Sequence, residues 1–299
     1  MSDAYSDLER PPLHGASLRR ALLTPDGMWR QLDLRDSTGS TNADAADAAR
    51  AGRPEGLIVV AEHQSAGRGR LDRAWESPPR AGLALSVLLR PGHADAQPAT
   101  DRAWPPAPPA MFGWLPLLAG VALVDAITRV SPLEPMLKWP NDLLLDTATG
   151  PAKCAGILAE AVPAATADQA GAVIVGVGIN VTVRAEELPA GVAATSLRLA
   201  GHPDADRAPL LRAYLRSFAD WYGRWRAAAG DPEASGLREA YLRACSTIGS
   251  TVRVTLPAAG DLTGLAVGVD GDGRLLVATD DGITPVAAGD VTHVRPATD

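Results

Sequence analysis

The stretch Lys153-Cys154-Ala155-Gly156-Ile157-Leu158-Ala159-Glu160 holds a strand, 154–159, with a lysine at its start. A charged side chain entering an apolar Gly-Ile-Leu run is expensive unless it meets an anion. The alternative is a lysine that snorkels to water at a strand start. Short strands at 136–139 and 143–145 precede it in a meander joined at 147–152, and residues 172–177 form a further apolar strand ending in Gly178. Upstream, 57–62 and 83–89 read as strands and 115–130 as the longest helix.

Working outward, the alanine-rich, acid-bearing run 41–51 predicts a helix with Ser40 or Thr41 as its N-cap. Helices are also expected over 209–229 and 232–244. From Cys245 onward Thr, Val and Gly dominate, with turn signals at Gly260-Asp261, Asp270-Gly271-Asp272-Gly273 and Asp281-Gly282. Short, evenly spaced strands and a small β-barrel over 247–296 follow. Residues 1–30 are polar, proline-bearing and without sustained periodicity, and read as a partly ordered extension. The Pro/Ala-rich stretch 91–110 reads as a solvent-exposed loop without chemistry. The chain thus divides into an extension (1–30), a large middle domain (31–245) and a C-terminal domain (246–299).

With 299 residues, 46% hydrophobic and 21% charged, the chain has the composition of a soluble globular protein. A net charge of -7 argues against generic nucleic-acid binding, which needs a surplus of Lys and Arg. Cys154 and Cys245 are the only cysteines, too few for a disulfide scaffold, so a reducing cytoplasm is expected. The five histidines are scattered, with no metal-ligand cluster. The apolar run 111–124 contains Pro116 and stops at Asp125; it is too short for a bilayer and reads as a core helix, so no membrane partner is expected.

Gly67-Arg68-Gly69-Arg70-Leu71-Asp72-Arg73-Ala74-Trp75 puts three guanidinium groups and an indole on a glycine-bearing loop. Glycine lets backbone approach a ligand, and arginine offers a planar fork for carboxylate or phosphate oxygens. The residues 57–62 deliver His63 and Gln64 into this loop. Arg68 and Arg70, one glycine apart, leave the same face of an extended segment and can grip one ligand together. Given the negative net charge, the target is a small anion rather than a duplex.

Ser40-Thr41-Asn42, Gln64, the Arg/Gly loop, Lys138-Trp139-Pro140-Asn141-Asp142, the Lys153 strand and Gly176-Val177-Gly178-Ile179-Asn180-Val181 occur in that order. This ordered set resembles the biotin protein ligases over about 36–296. The resemblance implies an α+β fold, with a mixed-sheet catalytic domain of the biotin/lipoate ligase type and an SH3-like C-terminal barrel. It implies ATP-dependent activation of biotin to biotinyl-5'-AMP, then transfer to a lysine on the biotin carboxyl carrier domain of an acyl-CoA carboxylase. Residues 1–30 are too few and too poorly patterned for the winged helix-turn-helix that makes some members repressors, so no DNA partner is expected.

The chemistry brings a carboxylate to a polyphosphate, and each unit-charge pair near 4 Å costs about 4 kcal/mol at an effective dielectric of about 20. The expected compensation comes from Arg68, Arg70, Arg73, Lys138 and Lys153, with Mg2+ carried on the phosphates and no certain protein ligand for it. By resemblance Gly67, Arg68, Gly69 and Arg70 bind biotin and the adenylate phosphate, and Lys153 the biotin carboxylate. Ser40, Thr41, Asn42 and Gln64 supply short polar groups for the neutral ureido ring, although Ser40 to Asn42 also read as a helix cap. Gly156 permits close approach of the bicyclic ring or of a neighbouring strand. Trp75 could cover adenine, Asn141 and Asn180 could bond the nucleotide, and Asp142 could orient the incoming amine, take its proton or hold magnesium. Asp72 stands where the family commonly has another glycine, which leaves the role of Arg73 open.

Overall fold

The computed structural model describes residues 10–94, 104–164, 171–256, 260–287 and 290–293, apart from the side chains of Asp72, Leu256 and Asp290. Seven strands form the larger sheet: β1 (Gln31–Arg35), β2 (Leu57–Ala61), β3 (Gly82–Leu89), β4 (Met136–Lys138), β5 (Asp142–Leu145), β6 (Ala152–Val162) and β7 (Ala172–Asn180). Their order is β1-β2-β3-β7-β6-β5-β4. Only β1 and β2 run parallel among these pairs, so the sheet is mixed, as expected.

Alternation of side chains divides this sheet into two unlike faces. On one face Leu83, Ile179, Ala155, Leu143 and Leu137 lie opposite one another across five strands, and all are buried in the main core. That core is covered by α3 (Trp114–Val130) and α4 (Arg207–Ala227), with α5 (Leu237–Ala244) against α3. Helix α3 is apolar on nearly every side because it packs between other elements, and Trp114, Leu115 and Leu118 have no exposed surface. Each such side chain contributes about 1.5–3 kcal/mol of burial. With the turn before it, α3 is long and apolar enough to cross a membrane by composition. It continues past Asp125, whose carboxylate accepts hydrogen bonds from Ser217 Oγ and Trp221 Nε1 on α4.

Among the described residues the other face carries one α-helix, α2 (Thr41–Arg50), whose Ala45 and Ala49 pack on Leu57, Val59, Leu88 and Ile174. Ser40 is its N-cap, accepting from Ala43 N. The rest of that face is left for the site.

Several local expectations need correction. Residues 10–30 are not an unpatterned extension: α1 (Gly15–Leu22) turns Leu18 and Leu22, one helical turn apart, into the core beside Leu13 and Trp29. Trp29 Nε1 donates to the Leu215 carbonyl, and buried Arg207, paired with Glu62, donates to the Pro11 carbonyl. An eight-residue helix carries too few turns for its period to show. Residues 232–236 are turns rather than helix, because the Asp231 carboxylate takes the Glu233 and Ala234 N–H groups and Gly236 adopts φ 73°. Of the stretch read as an exposed loop, 95–103 lies outside the described residues. Ala107 is buried, and Trp104 packs edge-on against Tyr222, with Arg226 over its ring. The strand begun at 136 ends at Lys138, one residue early, and β6 is longer at both ends than its apolar run.

The C-terminal unit is an antiparallel sheet in the order β11-β10-β9-β8-β12, built from β8 (Thr251–Leu256), β9 (Gly260–Val269), β10 (Leu275–Thr279), β11 (Gly282–Val286) and β12 (Asp290–His293). Its Asp270-to-Arg274 turn is closed by the Asp270 carboxylate, which accepts from the Asp272 and Arg274 N–H groups. Two indoles of the first unit reach that turn: Trp114 Nε1 donates to Gly271 O (2.7 Å) and Trp139 Nε1 to Gly273 O (3.1 Å). The smaller sheet is thereby fastened beside β4, the edge strand that carries Lys138.

Candidate functional site

Strand register builds the site. Reading directly across the open face gives Ala61, Ala84, Gly178, Gly156, Asp142 and Lys138, one residue from each of β2, β3, β7, β6, β5 and β4. Four consecutive small residues leave a trough, and charge begins at its far end. At about 4.8 Å per strand, Ala61 to Asp142 spans roughly 19 Å, long enough for an extended ligand.

Above this floor lies the hairpin 67–75. Trp75 N donates to Gly67 O (2.9 Å) and Gly69 N to Arg73 O (2.6 Å), and a 3₁₀ turn, Arg70–Asp72, forms the tip. Leu71 there adopts φ 54°, a left-handed conformation costing about 1–2 kcal/mol for a non-glycine residue. Gly67 is required by contact, since a Cβ would meet Trp75 O at 2.3 Å; Gly69 has only ordinary neighbours. The Trp75 indole lies on the two floor glycines. A Cβ on Gly178 would come within 2.4 Å of the indole, and one on Gly156 within 3.2 Å. Lys153 Nζ is 5.8 Å from the centre of the Trp75 ring.

The cations share a counter-charge. Lys153 Nζ is 2.6 Å from Asp142 Oδ1. Burial lowers the Lys138 pKa; Asp142 opposes this, while Lys153 and Arg73 reinforce it. Arg70 is also lowered by burial, with Asp142 raising it and Arg73 lowering it. Lys138, Lys153, Arg70 and Arg73 therefore form one positive field around one carboxylate. A further anion arriving there is attracted by several charges at once.

The arginines diverge rather than grip together. Arg68 NH2 donates to Glu160 Oε1 (3.2 Å), whereas Arg70, in the 3₁₀ turn, donates from NH1 to Asn141 Oδ1 (3.2 Å). The turn rotates Arg70 out of the alternation assumed for an extended loop. A cavity of about 250 Å³ lies between Arg68, Gly69, Arg70, Leu158 and Glu160. A larger one, about 450 Å³, lies elsewhere, beside Arg10, His14 and the start of α4, and none of the predicted site residues lines it.

At the opposite end of the trough, α2 presents its first turn. Gln64 Oε1 accepts from Thr41 N (2.8 Å) and Thr41 Oγ1 (3.0 Å). Asn42 is held beneath the surface: Ser86 Oγ donates to its Oδ1 (2.6 Å), and its Nδ2 donates to Leu158 O (3.2 Å) and Glu160 Oε2 (2.6 Å). Asn180 Nδ2 donates to Thr195 O (3.0 Å), and Asn141 Nδ2 to Ile157 O (3.1 Å). Asn42 and Asn180 thus fasten segments around the trough, and Asn141 also steadies Arg70. The side chain of Asp72 lies outside the described residues.

Sequence reasoning passed over Ser86 and Glu160. Ser86 is fully buried and is the lone hydroxyl in Leu-Ala-Leu-Ser-Val-Leu-Leu, which was the available signal. Gly176 is needed beside Asn42, since a Cβ there would fall 2.0 Å from Asn42 Oδ1.

Residues 36–180 match the family model described as biotin/lipoate A/B protein ligase family, and 247–294 match the biotin protein ligase C-terminal domain. The chain is 40% identical over 293 residues to a biotin–[acetyl-CoA-carboxylase] ligase of Mycobacterium tuberculosis, covering 97% of this chain and 98% of that protein. It is 32% identical over 290 residues to the bifunctional ligase/repressor BirA of Bacillus spizizenii, with 96% and 81% covered. Its fold matches the biotin protein ligase of Aquifex aeolicus in complex with biotin and ATP at a TM-score of 0.67 and 25% identity, covering 90% of this chain and 100% of that one. With a trough of small residues, a positive field around one carboxylate and likeness over nearly its whole length, this chain belongs to the biotin protein ligase family.

Proposed function

We propose that the protein activates biotin with ATP and transfers the biotinyl group to a lysine on the biotin carboxyl carrier domain of an acyl-CoA carboxylase. The carrying observation is the field of Lys153, Lys138 and Arg70 around Asp142 at one end of the trough. In the first step a carboxylate oxygen of biotin attacks the α-phosphorus of ATP and pyrophosphate leaves. In the second an acceptor amine attacks the acyl carbon, AMP leaves, and the amine sheds a proton.

Lys153 is suited to the biotin carboxylate and then to the acyl oxygen, with Lys138 and the loop arginines on the phosphates. Gly67 and Gly69 give ligand access to backbone, as does Gly156 once the Trp75 indole lifts from it; Ser40, Thr41 and Gln64 bind the ureido ring and Asn42 supports them. Trp75, lifted from Gly156 and Gly178, covers the ligand, and Asn141 and Asn180 shape the nucleotide end. Asp142, 2.6 Å from Lys153 Nζ, orients or deprotonates the incoming amine.

Magnesium belongs with the triphosphate. No group of three His, Cys, Asp or Glu side chains among the described residues could hold a metal, and a phosphate-borne ion needs only one or two carboxylates, for which Asp142 is suited. When bound it offsets phosphate charge. The free, buried Cys154 and Cys245 suit a reducing cytoplasm. We assign catalysis to 31–245, supported by the helix at 15–22, and the C-terminal role to 246–299.

Incubating the protein with biotin, ATP, magnesium and a carrier domain should add the mass of one biotinyl group to that domain. A carrier unchanged in mass, with the enzyme folded, would refute the proposal.

A further inference from the structure

The ring-binding end of the trough and the arginine hairpin are joined by an unbroken chain of hydrogen bonds. It runs from Gln64 Oε1, which accepts from Thr41 N, through the Thr41 hydroxyl, 2.8 Å from Ser86 Oγ, then through Asn42 to Glu160 and on to Arg68. Glu160 is the unexpected link. A carboxylate beside a site for anionic substrates opposes their binding, so its presence needs a reason.

Its geometry supplies one. Glu160 stands on β6, two residues beyond Leu158, and bridges two partners: Oε2 takes Asn42 Nδ2 at 2.6 Å, while Arg68 NH2 lies 3.2 Å from Oε1 and 3.5 Å from Oε2. The Arg68 side chain is 51% exposed on a short hairpin, so without an anchor it would sample many rotamers. Glu160 meets only the NH2 nitrogen, which leaves other N–H donors of the five-donor fork for substrate.

We infer that Glu160 is a positioning residue for the adenylation step: it holds the Arg68 guanidinium against β6 and ties the hairpin to the ring-binding residues through Asn42. The inference rests on the proposed function for its kinetic consequence, but not for its structural one. Ordering Arg68 before substrate arrives lowers the entropy lost in reaching the transition state.

The test is a double-mutant cycle on biotin-dependent pyrophosphate release, using the unsubstituted protein, Glu160→Gln, Arg68→Ala and the double variant. Glutamine keeps the shape and can still accept from Asn42. Glu160→Gln should lower kcat/KM about tenfold when Arg68 is present and less than about twofold when Arg68 is alanine. Equal losses in the two backgrounds, or no loss with Arg68 present, overturn the inference. Limited proteolysis of the ligand-free hairpin 67–75 gives an arm independent of activity. Glu160→Gln should speed cleavage several-fold, and unchanged cleavage counts against the anchor. An unsubstituted protein that releases no pyrophosphate contradicts the proposed function, while the cleavage result still judges the anchor.

Discussion

Along β7, Val175, Val177 and Ile179 turn into the main core, while Gly176, Gly178 and Asn180 turn to the opposite face, toward Asn42, Trp75 and the Thr195 carbonyl. The first set is bulky and fully covered; the second is small or amide-bearing. On the core face each position contributes by filling space. On the site face the contribution is space left open, and the polar groups around it are held by hydrogen bonds rather than by packing. Stability and chemistry are therefore carried by alternate residues of the same strand. Substitutions one residue apart should separate them.

The largest effect is expected from Lys153→Ala, which removes the cation nearest Asp142. Adenylate formation should fall by about 100- to 1,000-fold, in the range for loss of one preorganised electrostatic group. The melting temperature should barely change, because the pair is part-exposed. Pyrophosphate release and thermal unfolding measure both quantities, and a variant keeping a tenth of the activity would break the comparison. On the core face, Ile179→Ala should cost about 3 kcal/mol in denaturant unfolding and leave kcat nearly unchanged while the protein is folded. A large loss of kcat without loss of stability would reverse the assignment of faces.

Next, Gly178→Ala sharpens the contrast, since its Cβ would press on the Trp75 indole. A shifted Trp75 should cut adenylate formation about tenfold, with a stability cost below about 1.5 kcal/mol. Unchanged activity would mean that the indole's seat on β7 is irrelevant to catalysis.

The smallest effect concerns the join between the two sheets. His293 of β12, with Nε2 3.2 Å from Thr247 Oγ1, has its pKa lowered from 6.5, chiefly by burial and then by the charge of Lys138. A lowered folded pKa means that the unfolded chain takes up the proton first as pH falls. Its stability contribution is present above pH 6.5 and is lost as pH drops through the folded value. His293→Gln should therefore flatten the fall in melting temperature between pH 7.5 and 5.5. An unaltered slope would show that this contact does not titrate.

Much of this was legible in residue order. Long apolar runs announced α3, β2, β3 and β7, and the Ser40 cap announced α2. Asp270 to Gly273 announced the turn that both indoles reach. What escaped did so for physical reasons. Helix α1 is stabilised by docking Leu18 and Leu22 rather than by a period it is long enough to display. Trp104 and Ala107 lie in a segment whose composition resembles a loop, but Trp104 packs against Tyr222 and Arg226 of α4 and Ala107 lies beside Gly230, both far away in sequence. The candidate site was read as residue types, and the types converge. The trough itself depends on cross-strand register, which aligns Ala84, Gly178 and Gly156 from three separate runs. Spacing within one run cannot supply that. For the same reason the Glu160 contact with Arg68, across 92 residues, was invisible.

On the proposed function, the charged end of this trough makes the mixed anhydride. Mixing stoichiometric protein with biotin, ATP and magnesium, without an acceptor, and resolving the products by mass spectrometry tests it most directly. Stopped when the unsubstituted protein has just completed one turnover, the reaction should hold about one biotinyl-5'-AMP per chain for that protein and for folded Ile179→Ala, and almost none for Lys153→Ala. A folded parent that yields no adenylate, or a Lys153→Ala variant that yields as much as the parent, would contradict it.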